Sequence, residues 1–499
     1  MMDVALYGLG NMGFPLARRL AKTCTLQVHD LDEGKCAKAA SDFAATVITG
    51  PEDIAATRFI VLCLPHPEAS RAVITAIRKN LRADAVIIET RTVNPDDMIQ
   101  AATLLEGCGA GIIDASILAG ISQMEAGTAT LAIGGDAEAV NEAVHAAQAA
   151  FEAWSKTTGA ARAMILRQIA SGVAAQRERL MHLQSSNNGK PGFEAAIDVD
   201  DVIATFNYYA DLAEASDGQQ NRVIELPSED FTARLRREAC GVVALIVPWN
   251  FPMVTTAWKL GPALAAGCCV VLKPSEVTPL AELELAQIIA QSGLPTGVFN
   301  VVCGTGLAVG APMSGHPGIA KVSFTGSNAV GVQVMQRAAE TIKGVSLELG
   351  GKSSLLVLAD ADLDLAVELA SGGGFFNAGP MCSAPSRVLV ANELLEPFLE
   401  RIVAKARSIN VAGPQDEGAE MGPLVNKAQY QRVIAHIEAG KGAGARLLCG
   451  GKRPSDQPRG YFLQPAVFSH VPLKSALWRE EIFGPVVCVR GFSSEAEAI

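Results

Sequence analysis

The sequence predicts an α/β protein built on two successive parallel sheets. Strand and helix signals alternate from residue 1 to about 135, and a second strand–helix series runs from Val242 to about Ser346. Such alternation builds a parallel sheet with helices on both faces. Glycine is high, at 47 of 499 residues, and aromatics are low, at 5%, which suits many strand-to-helix turns and Ala-rich helices. The hydrophobic fraction is 49% and the charged fraction 19%. That apolar share offsets the entropy of ordering and excludes disorder over most of the chain.

The elements follow in order. Val4 to Tyr7 is a short apolar run, and Gly13 to Lys22 has helical periodicity. Leu26 to Val28 is a second strand that ends at His29-Asp30. Phe59 to Leu64 is a third, closed by Pro65 and Pro67, and Val86 to Ile88 and Gly111 to Ile113 are two more. From about Asp136 to Leu183 the pattern turns helical. Val140, Val144, Ala147, Phe151 and Trp154 fall at helical spacing, and Arg162 to Leu183 forms one further amphipathic stretch. Alternation returns at Arg222 to Leu226. The longest uncharged stretch, Ala239 to Trp258, has the length of a membrane span. Pro248, Asn250 and Pro252 interrupt it, so it reads as a buried strand and a functional loop. At roughly 150 residues per domain the length predicts three domains.

Lys plus Arg is 41 and Asp plus Glu is 52, giving a net charge of −11 with no basic block. This argues against nucleic acid and anionic membranes as partners. Eleven scattered cysteines without a CxxC point to a reducing, cytoplasmic setting. The first residues lack the basic start and long apolar run of a signal peptide. No metal is expected.

Gly8-Leu9-Gly10-Asn11-Met12-Gly13 follows the first strand and opens the first helix. In that place Gly8 permits a tight turn, Gly10 lets a pyrophosphate approach the backbone, and Gly13 permits close helix–strand packing. The helix N-terminus adds positive potential. Asp30, seventeen residues after Gly13, is placed for ribose hydroxyls and favours NAD over NADP. The segment, residues 1–135, resembles the Rossmann cofactor domain of the 3-hydroxyisobutyrate dehydrogenase family of β-hydroxyacid dehydrogenases. The resemblance also covers Cys63-Leu64-Pro65, Thr90-Arg91-Thr92, and Glu125-Ala126-Gly127-Thr128 leading to Gly134-Gly135. Leu118, in Leu118-Ala119-Gly120, stands where that family has Ser, and no GxxxK stretch follows Gly135. The cofactor fold is expected without its catalytic half.

Three later motifs carry nucleophilic chemistry. Cys382 sits among small residues in Phe376-Asn377-Ala378-Gly379-Pro380-Met381-Cys382-Ser383. Glu348, in Leu347-Glu348-Leu349-Gly350-Gly351-Lys352, lies between leucines and is expected to be partly desolvated, as suits a general base. Asn250, in Pro248-Trp249-Asn250-Phe251-Pro252, is an amide fixed between prolines whose NH₂ can donate to an oxyanion.

The ordered set Asn250, Glu348, Cys382 resembles the aldehyde dehydrogenase superfamily from about residue 140 onward. The resemblance implies a cofactor domain over 140–350, with an oligomerisation hairpin near 219–237, and a catalytic domain over 351–499. It also implies cofactor roles. Lys273 and Glu276, in Lys273-Pro274-Ser275-Glu276 after the strand Val270 to Leu272, would hold the adenosine ribose. Ser275 lies between them, and Trp249 is expected beside the cofactor. Gly326, Ser327 and Gly331 would form the pyrophosphate turn. Glu481 and Phe483 would hold the nicotinamide ribose and ring. The implied mechanism has the Cys382 thiolate attack an aldehyde, with Asn250 and the Cys382 N–H stabilising the oxyanion. The thiohemiacetal gives hydride to NAD, and Glu348 activates the water that hydrolyses the thioester.

The resemblance is closest to the betaine-aldehyde and aminoaldehyde branch, through Met253 to Trp258-Lys259, His316-Pro317, Cys382-Ser383-Ala384 and Trp478-Arg479-Glu480-Glu481. In that branch aromatic rings hold an ammonium by cation–π attraction. The matching positions are Phe251, Trp258 and Phe376, and Phe stands at the first and last where the branch more often has Tyr and Trp. Pro380 replaces a common Gln, and Pro385 a Thr or Gly. The family also continues past the position of Ile499, with its last catalytic strands and an oligomerisation strand, so a homo-oligomer is expected as an open possibility, with the hairpin retained and that strand missing. Three readings stay open: an NAD-dependent aldehyde dehydrogenase with a foreign N-terminal domain, a bifunctional fusion that also oxidises a 3-hydroxyacid, and a catalytically silent NAD-binding fusion of two gene fragments.

Overall fold

The computed structural model describes residues 2–91, 95–118, 130–133, 137–227 and 230–499. The chain divides into two units. One contains residues 1–140 with 302–309, and the other 141–301 with 310–499.

In the first unit the strands are β1 (Met2–Tyr7), β2 (Cys24–His29), β3 (Thr46–Val47), β4 (Phe59–Leu62), β5 (Val86–Glu89), β6 (Gly111–Leu118) and β7 (Thr130–Ile133). Among the described residues they form one sheet of order β3-β2-β1-β4-β5-β6-β7. Order 3-2-1-4-5-6 is that of a dinucleotide-binding sheet, with its switch point between β1 and β4. Alternate residues of β1 point to opposite faces, so Val4 and Leu6 enter one apolar core and Ala5 and Tyr7 the other. One departure from the parallel expectation is β7, which runs antiparallel to β6. An apolar strand pattern carries no direction of its own.

The second unit opens with helices. Residues expected to form one amphipathic stretch make two helices, Gly159–Ala175 and Arg177–Asn188, separated at Gln176. The long helix Gly192–Asp217 packs against the first of them. An antiparallel hairpin of β8 (Arg222–Ile224) and β9 (Ala233–Leu235) follows.

Then come β10 (Val242–Ile246), β11 (Cys269–Lys273), β12 (Phe299–Val301), β13 (Lys321–Gly326) and β14 (Gly344–Leu349), in the order β12-β11-β10-β13-β14 and all parallel. Every residue of β10 and β11 is buried. That explains their unbroken apolar runs, because a parallel sheet is covered on both faces. The last sheet has the order β15-β16-β19-β18-β17, from β15 (Ser354–Val357), β16 (Arg387–Ala391), β17 (Arg446–Cys449), β18 (Ala466–Ser469) and β19 (Val486–Phe492). It closes its own core around Phe398, Phe468 and Val487. Among the described residues no helix is long and apolar enough to cross a membrane.

Candidate active site

The carboxyl ends of β10, β13 and β14 converge, as the switch point of such a sheet requires. After β10 the chain turns through Pro248–Phe251 into the helix Pro252–Ala265, with Pro252 in its first turn, where no N–H is needed. Asn250 is buried, and its Nδ2 donates to the Pro380 carbonyl at 2.9 Å. Its Oδ1 is buried without a partner. The backbone here is held from two sides. Asn188 Nδ2 donates to the Trp249 carbonyl at 2.6 Å, and Asn377 Nδ2 donates to the Asn250 carbonyl at 2.9 Å. Pro380 therefore does not loosen its loop, because its carbonyl ties that loop to Asn250.

Cys382 is exposed in the turn beyond Pro380. Glu348, opposite Thr325 near the end of β14, is also exposed. The expected desolvation of Glu348 is not observed, because its leucine neighbours flank it along the strand and do not cover it. Asn250, Glu348 and Cys382 nonetheless line one cavity of about 500 Å³. Trp249, Phe251, Trp258, Gly326, Ser327, Phe376, Glu481 and Phe483 share its wall. Lys273, Ser275, Glu276 and Gly331 do not line it. They stand on the neighbouring strand end and helix.

The residues expected at a dinucleotide fit one. Lys273 is buried and its Nζ donates to Glu276 and to the Pro274 carbonyl, each at 2.9 Å. Ser275 Oγ accepts from the Val277 N–H and shapes that turn. Ser327 caps the helix Asn328–Ala339, so free N–H groups and positive potential face the cleft. A Cβ on Gly331 would lie 2.6 Å from Leu349, and one on Gly350 would lie 2.0 Å from a Glu481 carboxylate oxygen. The other oxygen of Glu481 is buried without a partner, and burial raises its carboxyl above the usual range. Phe483 has a left-handed backbone, φ 60°, and its ring meets Trp249 edge-on at 5.3 Å. An orphaned acceptor beside a glycine cradle is what a ribose hydroxyl would complete.

In the same cavity Phe251 and Phe376 lie nearly parallel with centroids 6.3 Å apart. Phe251 is already in contact with a cation, since Lys190 Nζ sits 4.2 Å from its ring centroid and pairs with Asp198. Trp258 is half exposed at the rim, where its indole N–H donates to Asp201 at 3.3 Å. Sequence reasoning missed Lys190, Glu194, Asp198 and Asp201. Their only sequence signal is the spacing of Glu194, Asp198 and Asp201, four and three apart on one face of the helix Gly192–Asp217, which ordinarily reads as a solvated charged face. Lys259, quoted for the branch resemblance, was assigned no role. Its Nζ donates to Ser323 at 2.9 Å, and burial pushes it down to about 8 against the opposing pull of Glu348.

The first unit has its own turn. Gly8 has φ 99°, and a Cβ there would lie 2.2 Å from the Cys63 carbonyl. A Cβ on Gly13 would lie 1.9 Å from the Gly8 carbonyl, whereas one on Gly10 would meet open space. Asp30 accepts from the Leu9 N–H at 2.6 Å and so braces the turn. Thr92, Ala119, Gly120, the Glu125–Thr128 run, Gly134 and Gly135 lie outside the described residues.

Comparison with known proteins gives two family matches. Residues 3–161 match the NAD binding domain of 6-phosphogluconate dehydrogenase. Residues 123–499 match the aldehyde dehydrogenase family. Betaine aldehyde dehydrogenase 1 of rice is 47% identical over 73% of this chain and 73% of its own. The peroxisomal aminoaldehyde dehydrogenase 2 of pea is 46% identical over 69% of each. The crystal structure of betaine aldehyde dehydrogenase from Staphylococcus aureus with NAD+ superposes with a TM-score of 0.71 at 37% identity, covering 73% of this chain and 72% of that one. The chain belongs to the aldehyde dehydrogenase family, is an NAD-dependent oxidoreductase of aldehydes, and carries an NAD-binding domain at its N-terminus.

Proposed function

We propose that the aldehyde oxidised is cationic, betaine aldehyde or an ω-aminoaldehyde, with Cys382 as nucleophile. The observation that carries this reading is Asp201. Its half-buried carboxylate faces the same cavity as Phe251, Trp258 and Phe376, and its hydrogen-bond partners are the neutral indole of Trp258 and hydroxyl of Thr205. A carboxylate beside ring faces attracts an ammonium both by charge and by the ring quadrupole. The names of the rice, pea and Staphylococcus relatives support the same substrate class.

In this reading the Cys382 thiolate adds to the carbonyl carbon. Asn250 Nδ2 keeps one N–H on Pro380 and offers the other to the oxyanion, with the Cys382 backbone N–H beside it. NAD, when bound by Lys273, Glu276, Ser327 and Glu481, supplies the acceptor for the substrate hydride. Glu348, open to solvent, takes a proton from the water that attacks the resulting thioester, and Cys382 leaves as thiolate. The cysteines, all thiols among the described residues, support a reducing compartment such as the cytoplasm.

The test is NADH production with betaine aldehyde, 4-aminobutyraldehyde and a neutral aldehyde of matched length. The cationic aldehydes are expected to have kcat/KM higher by an order of magnitude or more, roughly the two kcal/mol of a desolvated cation–π contact. Asp201→Asn removes most of that advantage and Cys382→Ala removes turnover. Equal kcat/KM for the neutral aldehyde defeats the substrate assignment, and turnover in Cys382→Ala defeats the nucleophile.

A further inference from the structure

Two thiols outside this chemistry share a cavity with it. Cys240 lies just before β10 and Cys268 just before β11. The strands are parallel neighbours with Val242 opposite Cys269, and the Cys269 N–H donates to the Gly241 carbonyl at 3.3 Å. This pairing brings the two sulfurs to 3.7 Å, a gap that side-chain torsion can close to the bonding distance of roughly 2 Å. Cys240 is exposed and Cys268 is buried. Both line a cavity of about 460 Å³ that also reaches Lys259, Lys321, Glu348 and Cys382.

The environments of the two thiols differ in the direction that exchange chemistry needs. The Cys268 sulfur at hydrogen-bond distance holds the Cys240 thiol below its ordinary range, and the Lys321 charge adds to this against the effect of burial. The same hydrogen bond and burial push Cys268 up. The accessible thiol is therefore the one that ionises more readily, beside a buried partner.

We propose that Cys240 and Cys268 are a redox-active dithiol that a hydroperoxide converts to an intrachain disulfide. The Cys240 thiolate attacks the terminal peroxide oxygen, the O–O bond breaks, and the sulfur becomes a sulfenic acid as hydroxide (or, from an organic hydroperoxide, alkoxide) leaves. Cys268 then attacks that sulfur. The S–O bond breaks, the departing hydroxyl takes the Cys268 proton as water, and the S–S bond forms. Two thiols lose two electrons and one peroxide gains them. A thiol reductant reverses the step by exchange.

The experiment exposes the reduced full-length chain to limiting hydrogen peroxide and maps its peptides without reduction. The expected product is a Cys240–Cys268 linked pair, with two thiols lost per peroxide and both regained with dithiothreitol. A Cys268→Ala variant gives no link, and dimedone traps the sulfenic acid at Cys240. The wild-type map stands even if that variant misfolds. Cys240 remaining a thiol while Cys382 oxidises first overturns the proposal, as does a link from Cys240 to any other cysteine. The pH dependence of Cys240 alkylation gives a second readout. Its half-point is expected to rise in Cys268→Ala, and an unchanged half-point overturns the proposed thiol–thiol coupling.

Discussion

Glu194 places a titrating group beneath the Phe376–Cys382 turn. Its carboxylate accepts the Asn377 N–H at 2.8 Å while its second oxygen is buried without a partner. Burial pushes it from 4.5 up to about 7, against the hydrogen bond and the Lys190 charge. The folded state therefore holds this proton more tightly than the unfolded chain does. That contribution is fully present below pH 4.5 and is lost as pH rises through about 7. Glu194→Gln keeps an acceptor for Asn377 and removes the titration. The variant is expected to match wild type near pH 4.5 and to exceed it at pH 8 by about 2–3 kcal/mol, from roughly 1.4 kcal/mol per pKa unit. Thermal midpoints across that range check this, and a difference that does not grow with pH would sink it. Cys382, Asn250 and Glu348 could be picked out as candidates because each sits in a local motif. Glu194 could not, since a glutamate on a helix ordinarily reads as a solvated charge. Only the fold reveals that it faces Asn377 across 183 residues.

The turn from Phe376 to Cys382 is the element on which the proposed nucleophile depends. Asn377, Ala378 and Gly379 are all left-handed, at φ 53°, 55° and 90°. Such a conformation costs roughly 1 kcal/mol or more at a non-glycine residue. Hydrogen bonds from Asn377 to Glu194, Asn250 and Pro380 offset that strain. At Gly379 the fold leaves no room, because a Cβ would lie 2.2 Å from the Gly484 backbone. Gly379→Ala is expected to shift the turn and lower kcat by about 100-fold, the effect of misplacing a reacting group by roughly 1 Å. Stopped-flow measurement of NADH formation tests this, and a variant with wild-type kcat would show that the turn tolerates displacement. Elements were legible in the sequence in proportion to how local their causes are. Gly8 and Gly13 could be read as a tight turn and a close helix contact because glycine has few other uses at those offsets. The helix break at Gln176 could not, since no Gly or Pro marks it, and neither could the antiparallel setting of β7.

At the scale of the whole molecule, one chain carries the same topological device twice. Both sheets reverse their order beside the first strand of the series, at β1/β4 and at β10/β13. Each places a glycine-bearing turn and a helix N-terminus at that point, and each offers an acidic residue, Asp30 or Glu276, for a ribose. A carboxylate there repels a 2′-phosphate, so both sites are expected to prefer NAD to NADP. Titration calorimetry of the full chain should then find two NAD equivalents. Gly13→Ala is the probe for the first site. Alanine normally gains about 1 kcal/mol over glycine in a helix, but here its Cβ would fall 1.9 Å from the Gly8 carbonyl, a contact that backbone cannot relax cheaply. That variant should titrate one equivalent and retain aldehyde turnover. Glu276→Ala, at an exposed side chain, should weaken the other site and turnover together. A single equivalent in wild type that Gly13→Ala leaves untouched would assign all cofactor affinity to the second sheet, and the first would then hold its fold without its ligand.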